Sequence, residues 1–155
     1  MDNNVIMRQI RYIFDFRDSK IVELFGLVEQ EVTVEDVNGW LQKEDDPSYQ
    51  PIYDKQLAHF LNGLIIHKRG KRDPNEPAPK AEKTLSNNLI LRKLKIALSF
   101  KNEDIIDTLY SVGLKISKHE VSALFRNPKQ SQYRLCKDQF LRNFLHGLQK
   151  KYRPK

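Results

Sequence analysis

The sequence has a single cysteine, Cys136, so it offers no partner for an intrachain disulfide and no cysteine cluster for a structural zinc. It also lacks any run close to the roughly 20 apolar residues that a membrane span requires. Its start, Met1-Asp-Asn-Asn4, leads straight into an amphipathic pattern, without the charged and apolar regions of a signal peptide. Together these absences read as a soluble, cytoplasmic chain with no membrane contact. The histidines His59, His67, His119 and His146 stand at no metal-binding spacing, so no metal and no cofactor is expected. Glu44, Asp45 and Asp46 lack the spacing and closing glutamate of a calcium loop. There is no glycine-rich phosphate loop, nucleophile elbow or dinucleotide fingerprint. Arg134 and Lys137 flank Cys136 as cations that lower a thiol pKa, but no histidine or asparagine is marked as its partner. The sequence therefore names no catalytic residue, and the expectation is a protein that is not an enzyme.

What the chain does contain is one unit written twice. Residues 3–69 align without a gap on residues 87–153, at a constant offset of 84, with 16 of 67 positions identical. Asp54, Leu57, Phe60, Leu61, Gly63 and Leu64 meet Asp138, Leu141, Phe144, Leu145, Gly147 and Leu148. Arg8 meets Arg92, Ile21 meets Ile105, Val37 meets Val121 and Tyr49 meets Tyr133. Chance identity is about one in twenty, so the register marks a duplication.

Apolar spacings of three and four describe helices, and strand alternation is scarce. Each copy reads as four helices, giving an all-α protein of two tandem repeats packed about a pseudo-two-fold axis. The first helix runs from about Val5 to Phe14 with Asn4 as N-cap; its twin runs from Leu89 to Leu98, capped by Asn88. The second follows Asp18 to about Val28 and, in the twin, Asn102 to about Val112. The third opens on a capping box, Thr33 to Asp36 and Ser117 to Glu120. The fourth begins at Asp54 or Asp138. The domains are expected at 1–69 and 87–155, joined by a charged linker over 70–86 that contains Pro74, Pro77 and Pro79. The large aromatics at helical spacing, Trp40 among them, are assigned to the core.

The copies differ in charge. Residues 1–66 carry 6 Lys/Arg against 12 Asp/Glu, whereas residues 87–155 carry 15 against 5. A basic half of this kind suits a polyanion, or an acidic surface in the same or another chain. The second and third helices of each copy resemble a helix-turn-helix, with Gly113 suited to the turn. In the second copy Lys118 and His119 would face bases, and Lys115, Arg126, Lys129 and Arg134 would reach phosphates. Lys68, Arg69, Lys71 and Arg72 at the linker edge form a further basic cluster, and Lys150 to Lys155 another. Against a base reader stand Glu120 on the leading turn and the longer-than-usual link Leu114-Lys-Ile-Ser117. The first copy presents Glu35, Asp36 and the loop Lys43-Glu-Asp-Asp-Pro47, which would repel phosphate. The expectation is a binding module that contacts nucleic acid through its basic repeat. The alternative is a protein-interaction or regulatory scaffold that uses the oppositely charged repeats, including self-association.

As a set, Asn87 to Leu94, Trp40 to Pro47, Phe60 to His67, Ser122 to Arg126 and Asp138 to Phe144 resemble the YehS-like family across essentially the whole chain. That family comprises uncharacterised bacterial proteins with two copies of one domain. The resemblance implies a bacterial cytoplasmic protein and brings no activity or catalytic residue.

Overall fold

A computed structural model describes residues 1–71 and 73–153. These residues form eight α-helices and contain no strand. The chain divides into two compact units, Met1–Leu85 and Ser86–Lys155. The first holds α1 (Asn3–Phe14), α2 (Asp18–Gly26), α3 (Val34–Leu41) and α4 (Asp54–Arg69). The second holds α5 (Asn87–Ala97), α6 (Asn102–Tyr110), α7 (Lys118–Leu124) and α8 (Asp138–Tyr152). The protein is thus all-α and built from two tandem four-helix repeats. The linker does not extend to residue 86. Ser86 caps α5, its hydroxyl accepting from Leu89 N–H at 3.1 Å, and Leu85 N–H donates to the Asp54 carboxylate at 2.8 Å.

Local chemistry fixes most helix ends. Both expected capping boxes form: Thr33 and Asp36 exchange bonds of 2.9 and 3.0 Å, Ser117 and Glu120 two of 3.1 Å. The caps of the first helices differ from the sequence reading. Asp2, not Asn4, caps α1, and Ser86, not Asn88, caps α5. Asn4 and Asn88 are instead 2% and 7% exposed, because tertiary partners use both ends of their amides. The helix exits also repeat. Asp15 and Ser99 take φ of 54° and 56°, and Glu29 and Gly113 take 61° and 84°. At each exit the next residue's N–H reaches back to the carbonyl five residues before it, closing the last turn. Three of these four left-handed positions carry a Cβ; only Gly113 has the residue that favours it.

In each repeat the fourth helix packs on the second. In the first, α4 packs on α2 and buries Leu57, Phe60, Leu61 and Leu64 against Ile21, Leu24 and Phe25. Phe25 sits 5.3 Å from Trp40 and 6.1 Å from Phe60 between ring centroids, so these aromatics are core, as expected. In the second, α8 crosses α6 in the same way, with Phe144 edge-on to Phe100 at 6.3 Å. The repeated glycines set the approach. A Cβ at Gly63 would collide with the Leu24 carbonyl, and one at Gly147 would lie 2.5 Å from the Thr108 carbonyl oxygen. Gly147→Ala should therefore destabilise the protein by about 1–3 kcal/mol, as overpacking does. Denaturant unfolding checks this, with Gly26→Ala as a control because nothing lies near its Cβ position.

Between α3 and α4, and between α7 and α8, the chain has no regular structure, yet it is tightly held. Asn4 Nδ2 donates to the carbonyls of Trp40 (2.9 Å) and Gln50 (2.8 Å), and its Oδ1 accepts from Ile52 N–H (2.9 Å). Asn88 repeats this on Leu124 (3.0 Å), Arg134 (2.8 Å) and Cys136 N–H (2.8 Å). Asn3 and Asn87 complete the pattern, each bonding the carbonyl of Ile52 or Cys136 and the carboxylate that opens the next helix. Asn88→Ala leaves three backbone groups without these partners and should cost about 2–4 kcal/mol. Asn87→Ala, nearer the surface, should cost less in the same melt.

Candidate functional site

The held segment after α7, which we call the strap (residues 134–137), forms one wall of an open cleft. The loop 114–116 and the start of α7 form the second wall, and the first turns of α8 form the floor. The cleft encloses about 310 Å³. A matching cleft of about 370 Å³ lies in the first unit. Of the twelve residues lining the second-unit cleft, ten correspond at the 84-residue offset to residues lining the first. The cleft is therefore a property of the repeat and not an accident of one surface.

Its lining has diverged in charge. Lys115, Arg134 and Lys137 in the second unit replace Glu31, Gln50 and Tyr53 in the first. Leu135 replaces Pro51, Phe140 replaces Gln56 and Asn143 replaces His59. The second cleft is basic, with Leu114, Ile116 and Phe140 as apolar lining; Leu135 on its rim is 62% exposed. The one carboxylate there, Glu120, is held below its usual pKa by hydrogen bonds from Ser117 and then by Arg134, whose guanidinium lies 3.1 Å away. The first cleft is acidic, with Glu31 and Asp36 beside Trp40 and Tyr53. Burial, then the nearby Lys55 charge, lowers the His59 pKa and favours its neutral imidazole.

The basic residues singled out in the sequence fall in several places. Lys115 and Arg134 meet at the second cleft. Lys118 is exposed and pairs with Glu103 at 3.8 Å, and His119 is exposed beside it. Arg126 is half-buried, and Lys129 is exposed in the loop before the strap. Lys68 belongs to the first unit, where its ammonium lies 4.5 Å over the Phe14 ring and burial lowers its pKa. Arg69 ends α4, and Lys71 follows it, exposed. Arg72 lies outside the described residues, as does Lys155. Lys150 donates to the Ser111 carbonyl at 2.9 Å, and Lys151 lies 4.8 Å over Phe100, so part of the C-terminal cluster supports the fold.

Sequence reasoning did not identify Leu135, Phe140 and Asn143 as site residues, and noted Lys137 only beside the thiol. Leu135 and Lys137 lie in a connector where no helical period marks them. The available signal was the 84-residue comparison, which sets a leucine on a proline and a lysine on a tyrosine in an otherwise parallel loop. Among the described residues no group of His, Cys, Asp or Glu is arranged to hold a metal. Asp46 is engaged by Ser48, whose N–H and hydroxyl donate at 2.8 and 2.6 Å. Among the described residues no helix is long and apolar enough to cross a membrane.

The fold and its paired clefts define a tandem helical-repeat protein. The family described as "Protein of unknown function (DUF1456)" matches residues 3–70 and 87–153, the same two repeats, and the chain belongs to that family. It is similar to "Uncharacterized protein YehS" of Escherichia coli (strain K12), with 42% identity over 148 residues, 96% of this chain and 94% of that protein. No solved structure matches the chain.

Cys136 lines the strap but is 3% exposed, and burial, then the Asp138 charge, pushes its thiol up to about 12. The neighbouring cations do not activate it. The folded thiol holds its proton more tightly than the unfolded one, whose ordinary value is 9.0. Its contribution to stability is therefore complete below that pH and is lost as pH rises toward 12. Labelling with a disulfide reagent at pH 8 should proceed at the rate of unfolding and accelerate with denaturant. Rapid stoichiometric labelling of the folded protein would contradict this.

Proposed function

We propose that this protein is a non-enzymatic, cytoplasmic interaction module in which each repeat presents a cleft to a segment of a partner protein. The observation that carries this reading is the recurrence of one cleft at matching positions with opposite charge. Lys115, Arg134 and Lys137 surround one copy, Glu31 and Asp36 the other. Apolar and aromatic side chains beneath a charged rim are the usual composition of a peptide-binding surface.

The second reading is nucleic-acid contact by the basic repeat through the helix-turn-helix-like pair α6 and α7. It is favoured by the exposure of Lys115, Lys118, His119, Lys129 and Arg134 in a repeat with 15 Lys/Arg against 5 Asp/Glu. It ranks below the first because α7 has only seven residues and Lys118 at its start pairs with Glu103. Arg134 is likewise paired with Glu120.

Selection of a random peptide library on the purified protein separates the two. The expected result is peptides whose binding is lost when Gln56→Trp or Asn143→Trp fills the corresponding cleft. DNA and RNA oligonucleotides should show no saturable binding at moderate salt. Oligonucleotide binding that falls steeply with salt, with no cleft-dependent peptide recovered, would replace the first reading with the second.

A further inference from the structure

The strap of the second repeat has a backbone pattern that its side chains conceal. Arg134 N–H donates to the Ala123 carbonyl at 3.1 Å, and the Arg134 carbonyl accepts from Asn88. Two residues on, Cys136 N–H donates to Asn88, and its carbonyl accepts from Asn87. Inward pairing at 134 and 136 is the two-residue alternation of an extended chain. That alternation turns the backbone of Leu135 the other way. Neither the N–H nor the C=O of Leu135 has a hydrogen-bond partner among the described residues. The strap is therefore a one-residue sheet edge with an outward donor and acceptor.

The first repeat holds its strap by the same bonds at Gln50 and Ile52, but the residue between them is Pro51, which has no N–H to offer. The edge is consequently open in the second repeat alone. That is also the repeat whose cleft carries Lys115 and Lys137 where the other has Glu31 and Tyr53. Backbone and charge have diverged together, at one place.

We propose that the second-repeat cleft binds an extended acidic segment of a partner protein, which pairs its backbone with Leu135 and sets carboxylates against Lys115 and Lys137. An apolar side chain of the segment rests on Leu114, Ile116 and Phe140. Main-chain pairing supplies affinity and the side-chain surroundings supply choice, as in other strand-addition sites. A nucleic-acid strand would match the cations but has no peptide group for Leu135. This inference rests on the reading of the clefts as peptide sites and adds the partner's chemistry and its mode of docking.

The probe is a fluorescein-labelled (Asp-Leu)5 peptide, followed by anisotropy, with (Lys-Leu)5 and an oligothymidylate as comparison ligands. The wild-type chain should bind the acidic peptide saturably and the basic peptide not at all. Leu135→Pro removes one donor and reproduces the residue the first repeat already accommodates, so the fold should survive with an unchanged melting temperature. It should weaken the acidic peptide about five- to tenfold, the worth of one hydrogen bond. Leu135→Ala, which keeps the N–H, should weaken it less. Lys115→Glu with Lys137→Glu should abolish binding. In the complex, the Leu135 amide should exchange with solvent more slowly than in the free protein. Wild-type affinity in Leu135→Pro, an unprotected Leu135 amide, or failure of (Asp-Leu)5 to bind would each overturn the proposal. So would oligothymidylate competing for the same cleft. If library peptides still bind in a cleft-dependent way while (Asp-Leu)5 does not, only the strap mechanism is lost.

Discussion

Two buried asparagine side chains, one in each repeat, fix the course of the irregular segment before the fourth helix. Asn4 and Asn88 each bind the end of the third helix and two points on the following irregular segment, at distances that agree between copies to within about 0.1 Å. An amide suits this task because it donates and accepts from one rigid plane. A buried irregular segment would otherwise leave peptide groups without partners, at a cost of one to a few kcal/mol each. By satisfying them, the asparagine allows a non-helical strap to run beside the core. Without a fixed strap the cleft loses one of its two walls.

That constraint divides the strap into positions the fold controls and positions it does not. Ile52 and Cys136 face the core and are both small enough to be covered by it. Asp54 and Asp138 are identical because each receives an amide from Asn3 or Asn87. Pro51 and Leu135, by contrast, differ in shape, and Tyr53 and Lys137 in both shape and charge. Tyr53 and Leu135 are 67% and 62% exposed, so their exchange leaves the core untouched. Much of the second repeat's basic character also has internal duties. Arg92 donates to the Phe125 carbonyl at 2.7 Å, and Lys95 lies 4.2 Å over the Phe125 ring. Net charge therefore overstates what is offered to a partner. The cations at the cleft are a small part of the total, placed where the frame leaves freedom.

The helices were legible because their evidence is periodic. Leu57, Phe60, Leu61 and Leu64 recur 84 residues on, and the capping boxes at Thr33 and Ser117 formed as read. The two asparagines were misread for a physical reason: at a helix start, Asn is a good N-cap, and local chemistry cannot reveal that its amide is claimed by residues 36 to 48 positions away. The caps fell to Asp2 and Ser86, two residues earlier. The site was partly legible. Lys115 and Arg134 were marked as phosphate contacts by charge alone, and they share a cleft. Leu135 was not marked, because an exposed leucine in a connector carries no periodic signal. Only the comparison of the two copies isolates it.

Duplication also explains how the clefts acquired opposite sign. Charge changes at exposed positions commonly alter stability by less than about 0.5 kcal/mol, so drift there meets little resistance from folding. In the cleft, Lys115, Arg134 and Lys137 stand where the first repeat has Glu31, Gln50 and Tyr53, and Leu135 stands where it has Pro51. Glu120, the remaining carboxylate, is tied to Ser117 and Arg134 and serves the cap of α7. Replacing it would disturb the helix that forms the cleft wall. Its presence in a basic opening therefore follows from the needs of the helix cap.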